Sequence, residues 1–115
     1  MGGRHAQVTA VASAAFALLL AFSGCMFRLD PGQRVIVENR SGVEVNAVYL
    51  APCEVDFQGP NLLPDDETIA DGESRGFSVE GTGCYRIIVE FIDGDWVEDE
   101  LEIEKNAELT FRIEP

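Results

Sequence analysis

Apolar and polar residues alternate along most of the chain from residue 33 onward. Short runs rich in Val, Ile, Phe and Tyr are separated by clusters of Gly, Pro, Asn and Asp, and no window shows a 3.6-residue helical period. The pattern predicts strands at residues 33–39, 43–51, 67–70, 74–80, 84–92, 95–104 and 107–114. About seven short strands with regular turns are typical of an all-β fold, here a small antiparallel β-sandwich of the immunoglobulin or transthyretin type.

Strand pairing is predicted by matching apolar faces across each turn, because a one-residue slip moves every side chain to the other face. A three-residue connection at Asp93–Asp95 sets mostly apolar residues against one another and places Trp96 opposite Ile92, at the rim of the core. A similar connection at Lys105–Ala107 is expected to join the last two strands as a second hairpin. These two turns predict that the last three strands are neighbours in one sheet.

The segment WVEDELEIEK, residues 96–105, carries glutamates at every second position, so a strand here has an acidic face. In the predicted register Glu98 lies beside Glu90 and Glu114, whereas the next two glutamates lie beside arginines. The three carboxylates at that end form a predicted surface for a cation or a partner. One alternative is a Ca²⁺ site, since this ion prefers six to eight oxygen ligands, and another is simple solvation.

The first 24 residues are predicted to be a signal peptide of the lipoprotein type. A basic start precedes an uncharged apolar run, Val8–Phe22, which is shorter than the roughly 18–20 residues that span a bilayer. The end of this run, FSGC, resembles the lipobox of bacterial lipoproteins. The resemblance implies cleavage before Cys25 and a covalent lipid on its sulfur, followed by a lipidated tether at 25–32 and a β-sandwich domain at 33–115. The alternatives are a short transmembrane anchor and an ordinary soluble export signal.

Export changes the interpretation of the charges and cysteines. Removing the signal leaves 21 acidic residues against seven basic ones and no histidine. Such a surface repels nucleic acid, and nucleophilic catalysis lacks its usual base. Cys53 and Cys84 are predicted to form a disulfide in an oxidising compartment, and a redox-active or metal-binding pair is the alternative. Abundant carboxylates leave a carboxylate-based hydrolase as the alternative to a non-enzyme.

Residues 37–94 resemble a group of small exported bacterial proteins of unknown function. The shared features are an Asn-x-Ser-Gly turn, a strand ending in Tyr-x-Ala-Pro, a Gly-x-Asn-Leu-Leu segment, an Ile-x-x-Gly-x-Ser stretch, a Cys-Tyr strand start and a Phe-x-Asp-Gly hairpin. The matching residues are Asn39, Ser41, Gly42, Val48, Tyr49, Ala51, Pro52, Gly59, Asn61, Leu62, Leu63, Ile69, Gly72, Ser74, Cys84, Tyr85, Phe91, Asp93 and Gly94. Gln58 replaces the group's usual Trp, and Cys53 is not where the group often has its second cysteine. The resemblance implies a secreted β domain and no activity.

These features predict a membrane-anchored lipoprotein of a Gram-negative envelope, in the outer membrane. We expect a non-catalytic binding or structural role through the acidic β-sheet surface, with a basic envelope protein as the partner. No cofactor is expected beyond the lipid on Cys25 and, as an alternative, Ca²⁺. The other functions considered are a small periplasmic inhibitor of a basic hydrolase and a calcium-stabilised adhesion or assembly module.

Overall fold

The computed structural model of the protein describes residues 4–11, 32–56 and 59–115. Seven strands form in these ranges: β1 (His5–Val11), β2 (Gln33–Asn39), β3 (Val45–Pro52), β4 (Ser74–Val79), β5 (Gly83–Phe91), β6 (Trp96–Ile103) and β7 (Glu108–Glu114). In the described ranges no helix is long and apolar enough to cross a membrane. Cys25, the tether up to residue 31 and residues 12–24 of the predicted signal lie outside the described residues.

The strands form two sheets that enclose one core. Sheet A has the order β1-β7-β2-β4, and sheet B has the order β3-β5-β6. All pairs are antiparallel except β2 with β7, which run parallel. The prediction of an all-β domain is confirmed, and six of the predicted strands are present. The seventh, at 67–70, is reduced to one antiparallel bridge between Ile69 and Val45.

Strand β1 lies inside the predicted signal peptide. It pairs with β7 along its whole length, from His5 opposite Glu114 to Val11 opposite Glu108. The segment HAQVTAV has β-branched residues and no Gly or Pro, so it is compatible with an extended conformation. The structure therefore places an edge strand at residues that the sequence predicts to be part of a cleaved signal peptide. Cleavage of this segment stays a prediction.

The core lies between the two sheets and follows the alternation seen in the sequence. Strand β2 alternates buried and less buried positions, and the inward residues of every strand from β2 to β7 meet in one cluster. Its fully buried members of largest volume are Phe91, Phe111, Ile69, Ile87, Leu101, Ile103 and Ile113. Burying each such side chain stabilises the fold by roughly 1.5–3 kcal/mol relative to leaving it exposed.

The loop between β3 and β4 covers the edge of sheet B. The Asn61 side chain accepts hydrogen bonds from the backbone N–H groups of Val48 and Leu63, each at 3.0 Å. This turn buries Leu63 in the core, whereas Leu62 remains partly exposed.

The predicted hairpin between the last two strands is wrong. Strand β6 ends at Ile103 in sheet B, and β7 begins at Glu108 in sheet A, where it pairs with β1 and β2. Asn106 adopts a positive φ of 60° in the connecting turn, and the Ala107 N–H donates to the carbonyl oxygen of Glu104. Both strands keep their apolar residues inward, but they belong to the two different sheets that enclose the core. The turn residues alone fit either arrangement.

The turn between β5 and β6 has the predicted length but starts one residue earlier. It consists of Ile92, Asp93 and Gly94, because the Phe91 N–H bonds to the carbonyl oxygen of Asp95. Gly94 has a φ of +91°, and a three-residue hairpin loop places its left-handed residue last, where glycine is favoured. Trp96 consequently lies opposite Glu90, not opposite Ile92 as predicted.

Asn39, at the end of β2, is the centre of a buried polar network. It is fully buried, and its Nδ2 donates to the carbonyl oxygens of Val43 (2.8 Å) and Ile69 (2.9 Å). Its Oδ1 accepts hydrogen bonds from the N–H (3.0 Å) and the hydroxyl (2.7 Å) of Ser41. Ile69 also bridges to Val45 of sheet B, so this amide connects the end of one sheet to the edge of the other.

Replacing Asn39 by Ala is expected to lower the free energy of unfolding by roughly 2–4 kcal/mol, because it leaves buried backbone groups without partners. Urea unfolding followed by tryptophan fluorescence or circular dichroism measures the change. The matched control is Asn46→Ala, whose side chain is exposed. Equal stability of the two variants would show that the network contributes nothing.

Candidate partner-binding face

The outer surface of β5 and β6 carries four glutamates on two adjacent strands. Glu90 lies on β5, and Glu98, Glu100 and Glu102 lie on β6, the edge strand of sheet B. Three of the four intervening residues of β6, Val97, Leu101 and Ile103, are buried in the core, and the fourth, Asp99, is exposed. We call these four glutamates the acidic face. The predicted separation of acidic and apolar sides of this strand is confirmed.

The predicted cluster of Glu90, Glu98 and Glu114 does not form. Glu114 lies in sheet A, where its Oε2 is 3.6 Å from Nη1 of Arg112. Glu98 is not opposite Glu90, and its Oε2 is 3.9 Å from Nε of Arg86. Both glutamates therefore lie within ion-pair distance of arginines, and they belong to different sheets because β7 crosses over.

The two glutamates predicted to lie beside arginines are the less neutralised ones. Glu100 lies opposite Arg86, but the nearer cation–carboxylate pair of that arginine is with Glu98. Glu102 lies opposite Cys84. Within the described ranges, neither of these two glutamates nor Glu90 forms an ion pair. The open negative charge therefore extends along β6, away from the turn. The predicted arginine neighbour is present for Glu100, opposite Arg86, and absent for Glu102, opposite Cys84.

The two sheets differ in how their charges are balanced. Arg86 is the one basic residue in the three strands of sheet B. Four arginines lie in or next to β2, β4 and β7 of sheet A, and each is within 4.0 Å of a carboxylate; the pairs are Arg34–Glu108, Arg40–Glu38, Arg75–Glu67 and Arg112 with both Glu38 and Glu114. Negative charge is therefore neutralised on sheet A and concentrated on sheet B.

Two large apolar side chains are exposed beside the acidic face. Trp96 is 44% exposed at the start of β6, and Ile92 is 56% exposed in the preceding turn. Trp96 lies opposite Glu90, so an aromatic surface adjoins a carboxylate. Exposed tryptophan is more common in the centres of protein interfaces than on other surface.

The predicted cysteine pair lies at the opposite end of sheet B. Cys53 and Cys84 are at disulfide distance, with their Cα atoms 5.4 Å apart and their sulfurs bonded. Their pairing continues the β3–β5 ladder, since the Cys53 N–H donates to the carbonyl oxygen of Cys84 at 3.0 Å. The bridge therefore ties two strands that are already neighbours.

One group of three potential metal ligands occurs in the described part of the chain. The two bridged sulfurs, of Cys53 and Cys84, and a carboxylate oxygen of Glu100 lie within 4.8 Å of one another. Metal binding by cysteine uses the thiolate, and these sulfurs are bonded to each other, so the donor set does not suit an ion. Among the described residues, the glutamates of the acidic face form no such group, and the Ca²⁺ site stays a prediction.

Arg4 contacts the turn between β5 and β6. It forms ion pairs with Asp93, at 2.9 Å, and with Asp95, and its guanidinium carbon lies 4.5 Å from the centre of the Phe91 ring. Only 14% of its side chain is exposed. The hydrogen bond from the Asp95 N–H and the ion pair with Arg4 lower the pKa of the Asp93 carboxyl. We call Asp93, Asp95 and the Phe91 ring the arginine socket.

The arginine socket is not predicted from the sequence. The Asp-Gly-Asp pattern is explained by turn chemistry, and Arg4 is assigned to the basic start of a signal peptide. Its contact with the turn joins residues about ninety positions apart, and only the pairing of β1 with β7 brings them together. The excess of acidic residues around a hairpin turn is the one signal that favours a cation at this place.

Nothing matches this chain among protein-family models, curated proteins or solved structures. The resemblance of residues 37–94 to a group of exported proteins therefore stays a prediction. Several of its motif residues have a clear structural role here. Asn39 and Ser41 form the buried network, Asn61 orders the loop, and Gly94 completes the hairpin turn.

Glu38 has the strongest cationic surroundings on sheet A. Its two carboxylate oxygens accept hydrogen bonds from Arg40 (2.8 Å) and Arg112 (3.1 Å). Desolvation favours the neutral acid and is the largest single influence. The hydrogen bonds and charges of the two arginines together outweigh it and lower the pKa of the Glu38 carboxyl. Glu38 therefore connects the end of β2 to β7 through charge.

Replacing Glu38 by Gln is expected to destabilise the protein at neutral pH. A carboxyl with a lowered pKa in the folded state contributes stability above its unfolded value, about 4.3, and loses it as the pH falls through the folded value. The stability difference between wild type and variant should therefore shrink as the pH falls below about 4.3. Urea unfolding across that range measures it. Glu80→Gln, on an exposed residue, is the control, and a pH-independent difference would contradict the assignment.

Proposed function

We propose that the protein is a lipid-anchored lipoprotein of a Gram-negative envelope, and that its β-sandwich, of immunoglobulin or transthyretin type, binds a basic envelope protein through the acidic face. The role is binding rather than catalysis. One observation carries the proposal: negative charge is paired with arginines on sheet A and left open on sheet B, next to exposed Trp96.

The charge distribution supports an encounter steered by electrostatics. Glu90, Glu100 and Glu102 lie on one surface with Arg86 as the only cation in that sheet. A surface of one sign attracts a partner of the opposite sign and raises the association rate, an effect that salt weakens. The exposed apolar surface of Trp96 and Ile92 supplies contact area that becomes desolvated when the partner binds.

The position of the predicted tether fits this arrangement. The chain enters the domain at Gln33, whose side chain bonds to Gly81 and to the backbone N–H of Asn106 near the end of β6. Trp96 is at the other end of β6, about 23 Å away along an eight-residue strand. The tether itself reaches at most about 26 Å. The exposed tryptophan therefore lies at the end of the domain away from the anchor.

Inhibition of a basic hydrolase is a special case of the same proposal. An inhibitor of this kind needs an acidic surface that meets a basic cleft, and the acidic face together with Trp96 has the required charge and an apolar anchor. Measuring whether the bound hydrolase loses activity distinguishes inhibition from a purely structural role.

Removing most of the charge of the acidic face is expected to weaken binding of the basic partner. The triple variant Glu98→Gln, Glu100→Gln, Glu102→Gln should capture at least about ten times less of it from an envelope extract at low salt, since close interfacial charge pairs contribute about 1.5 kcal/mol or more. The wild-type complex should weaken as salt is added.

The matched control has the same net charge change on exposed residues elsewhere, in the variant Glu54→Gln, Asp65→Asn, Glu80→Gln. It should retain most of the binding. An equal loss of binding in both triple variants would show that only the total charge of the protein matters. Unchanged binding in both variants would show that the acidic face does not bind the partner. A lysozyme-class hydrolase, assayed with and without the protein, tests the inhibitor function.

The lipid anchor is tested separately at Cys25. Wild-type protein expressed in a Gram-negative host should incorporate labelled palmitate, and globomycin should cause the unprocessed form to accumulate. Cys25→Ala should lose both properties and appear in the soluble envelope fraction or remain unprocessed. Labelling that persists in this variant would contradict lipidation at Cys25.

A further inference from the structure

The outer edges of the two sheets are protected in different ways. The β6 edge carries the exposed acids Glu98, Asp99 and Glu100, and the β3 edge is covered by the loop whose Leu62 N–H bonds to the Val48 carbonyl. The β4 edge is short, with six residues. The β7 edge is covered by β1 alone. An unprotected strand edge can pair with a strand from another chain. The β7 edge is therefore available for such pairing only where β1 has been removed.

Strand β1 contributes little to the core that it covers. Among residues 5–10, whose side chains the structure describes, Ala6 packs against the cluster, whereas Gln7, Val8, Thr9 and Ala10 are exposed. The buried cluster itself is drawn from residues between Val35 and Ile113. The members of the buried cluster therefore all lie outside β1, and removal of β1 would expose the β7 edge.

The exposed β7 edge is suited to accept another strand. Its inward residues Leu109, Phe111 and Ile113 are apolar and buried, and the strand contains no proline, no glycine and no inward charge. In β1 the residues opposite them are small or β-branched, namely Ala10, Val8 and Ala6. A strand added here gains a full ladder of backbone hydrogen bonds, and the alternate side chains determine which sequences fit.

The arginine socket lies where such a strand begins. Arg4, the residue before β1, is mostly buried between Asp93 and Asp95 and over the Phe91 ring. Without a cation, two carboxylates of one turn face the same position. A guanidinium has the planar shape and donors for paired carboxylates and stacks on an aromatic ring, which lysine matches less well.

From these features we infer that, in the processed chain, the β7 edge and the arginine socket together bind an extended segment of a partner protein. The segment runs antiparallel to β7, carries an arginine one residue before the strand and has small or β-branched residues at alternate positions. In the structure, β1 occupies this place and shows the geometry that such a segment would adopt. The inference rests on the proposed cleavage before Cys25 and adds a second contact, on sheet A, for a basic partner.

The test uses the full chain with residues 12–24 replaced by a polar protease recognition sequence and with Cys25→Ala. The folded protein is cut at that sequence, so that no covalent link joins the segment containing β1 to the domain. A labelled synthetic peptide with the sequence of residues 3–11 is then added, and size-exclusion chromatography with mass spectrometry identifies what is bound to the domain.

Retention of the cut segment, or its replacement by the labelled peptide, is the expected result. A peptide with Arg4→Ala should bind at least about ten-fold more weakly, since it loses hydrogen bonds between charged groups. A peptide with Val8→Pro and Thr9→Pro should not bind, because one of two adjacent backbone N–H groups of an edge strand faces its neighbour and proline removes that donor. The protein variant Asp93→Asn, Asp95→Asn should show the same weakening as the Arg4→Ala peptide.

The control variant Asp56→Asn, Asp65→Asn changes the same charge on exposed residues and should bind the peptide normally. A folded domain that elutes alone and takes up no peptide would overturn the inference, and so would a domain that pairs with a second copy of itself. Equal binding of the proline peptide would show that no strand is added. The mass of the membrane-bound form reports cleavage independently, so failure of processing is distinguishable from failure of the edge to bind.

Discussion

Two buried amides at the ends of β2 hold together the connections that pass between the sheets. Asn39 bonds to the turn that follows β2 and to Ile69, which pairs with sheet B. Gln33, at the other end, donates to the carbonyls of Val79 and Gly81 and accepts the Asn106 N–H, in the connection from β6 to β7. Both side chains lie on the inward face of one strand, six residues apart. The apolar core favours collapse of two sheets in general, and these directional bonds select the connectivity.

Such bonds matter because an apolar interior tolerates many arrangements of the same strands. A buried amide without partners is costly, so any packing that separates Asn39 from Ile69 is disfavoured by the groups left unsatisfied. The parallel pairing of β2 with β7 illustrates the point. It brings together two strands far apart in the chain, and the turn beside Asn106 is held in place by Gln33.

Local patterns predicted the strands well and their neighbours poorly. The bounds of β2 match the predicted run 33–39, since its alternation and the Asn39–Gly42 turn are written in adjacent residues. The partner of β7 could not be read in this way, because an apolar stripe is compatible with a neighbour in the same sheet or with a facing strand. The register of β5 and β6 depended on which residue of a short turn takes a positive φ, and Gly94 decides it. The neighbours of the glutamates on the acidic face depend on both the partner of β7 and the register of β5 with β6, and they were therefore not all predicted correctly. The arginine socket depends on a contact between Arg4 and a turn about ninety positions later, for which no local pattern exists.

The place where the chain enters the domain has a mechanical consequence. In an anchored protein, tension from the membrane enters at Gln33 and runs along β2, which lies between β7 and β4 inside sheet A. A partner held at the far end of the domain pulls in the opposite direction. The ladder bonds of β2 to both neighbours are then loaded together, in shear, and not broken one after another from an end. Because the pulled strand lies inside the sheet, the domain is suited to an attachment that has to withstand force.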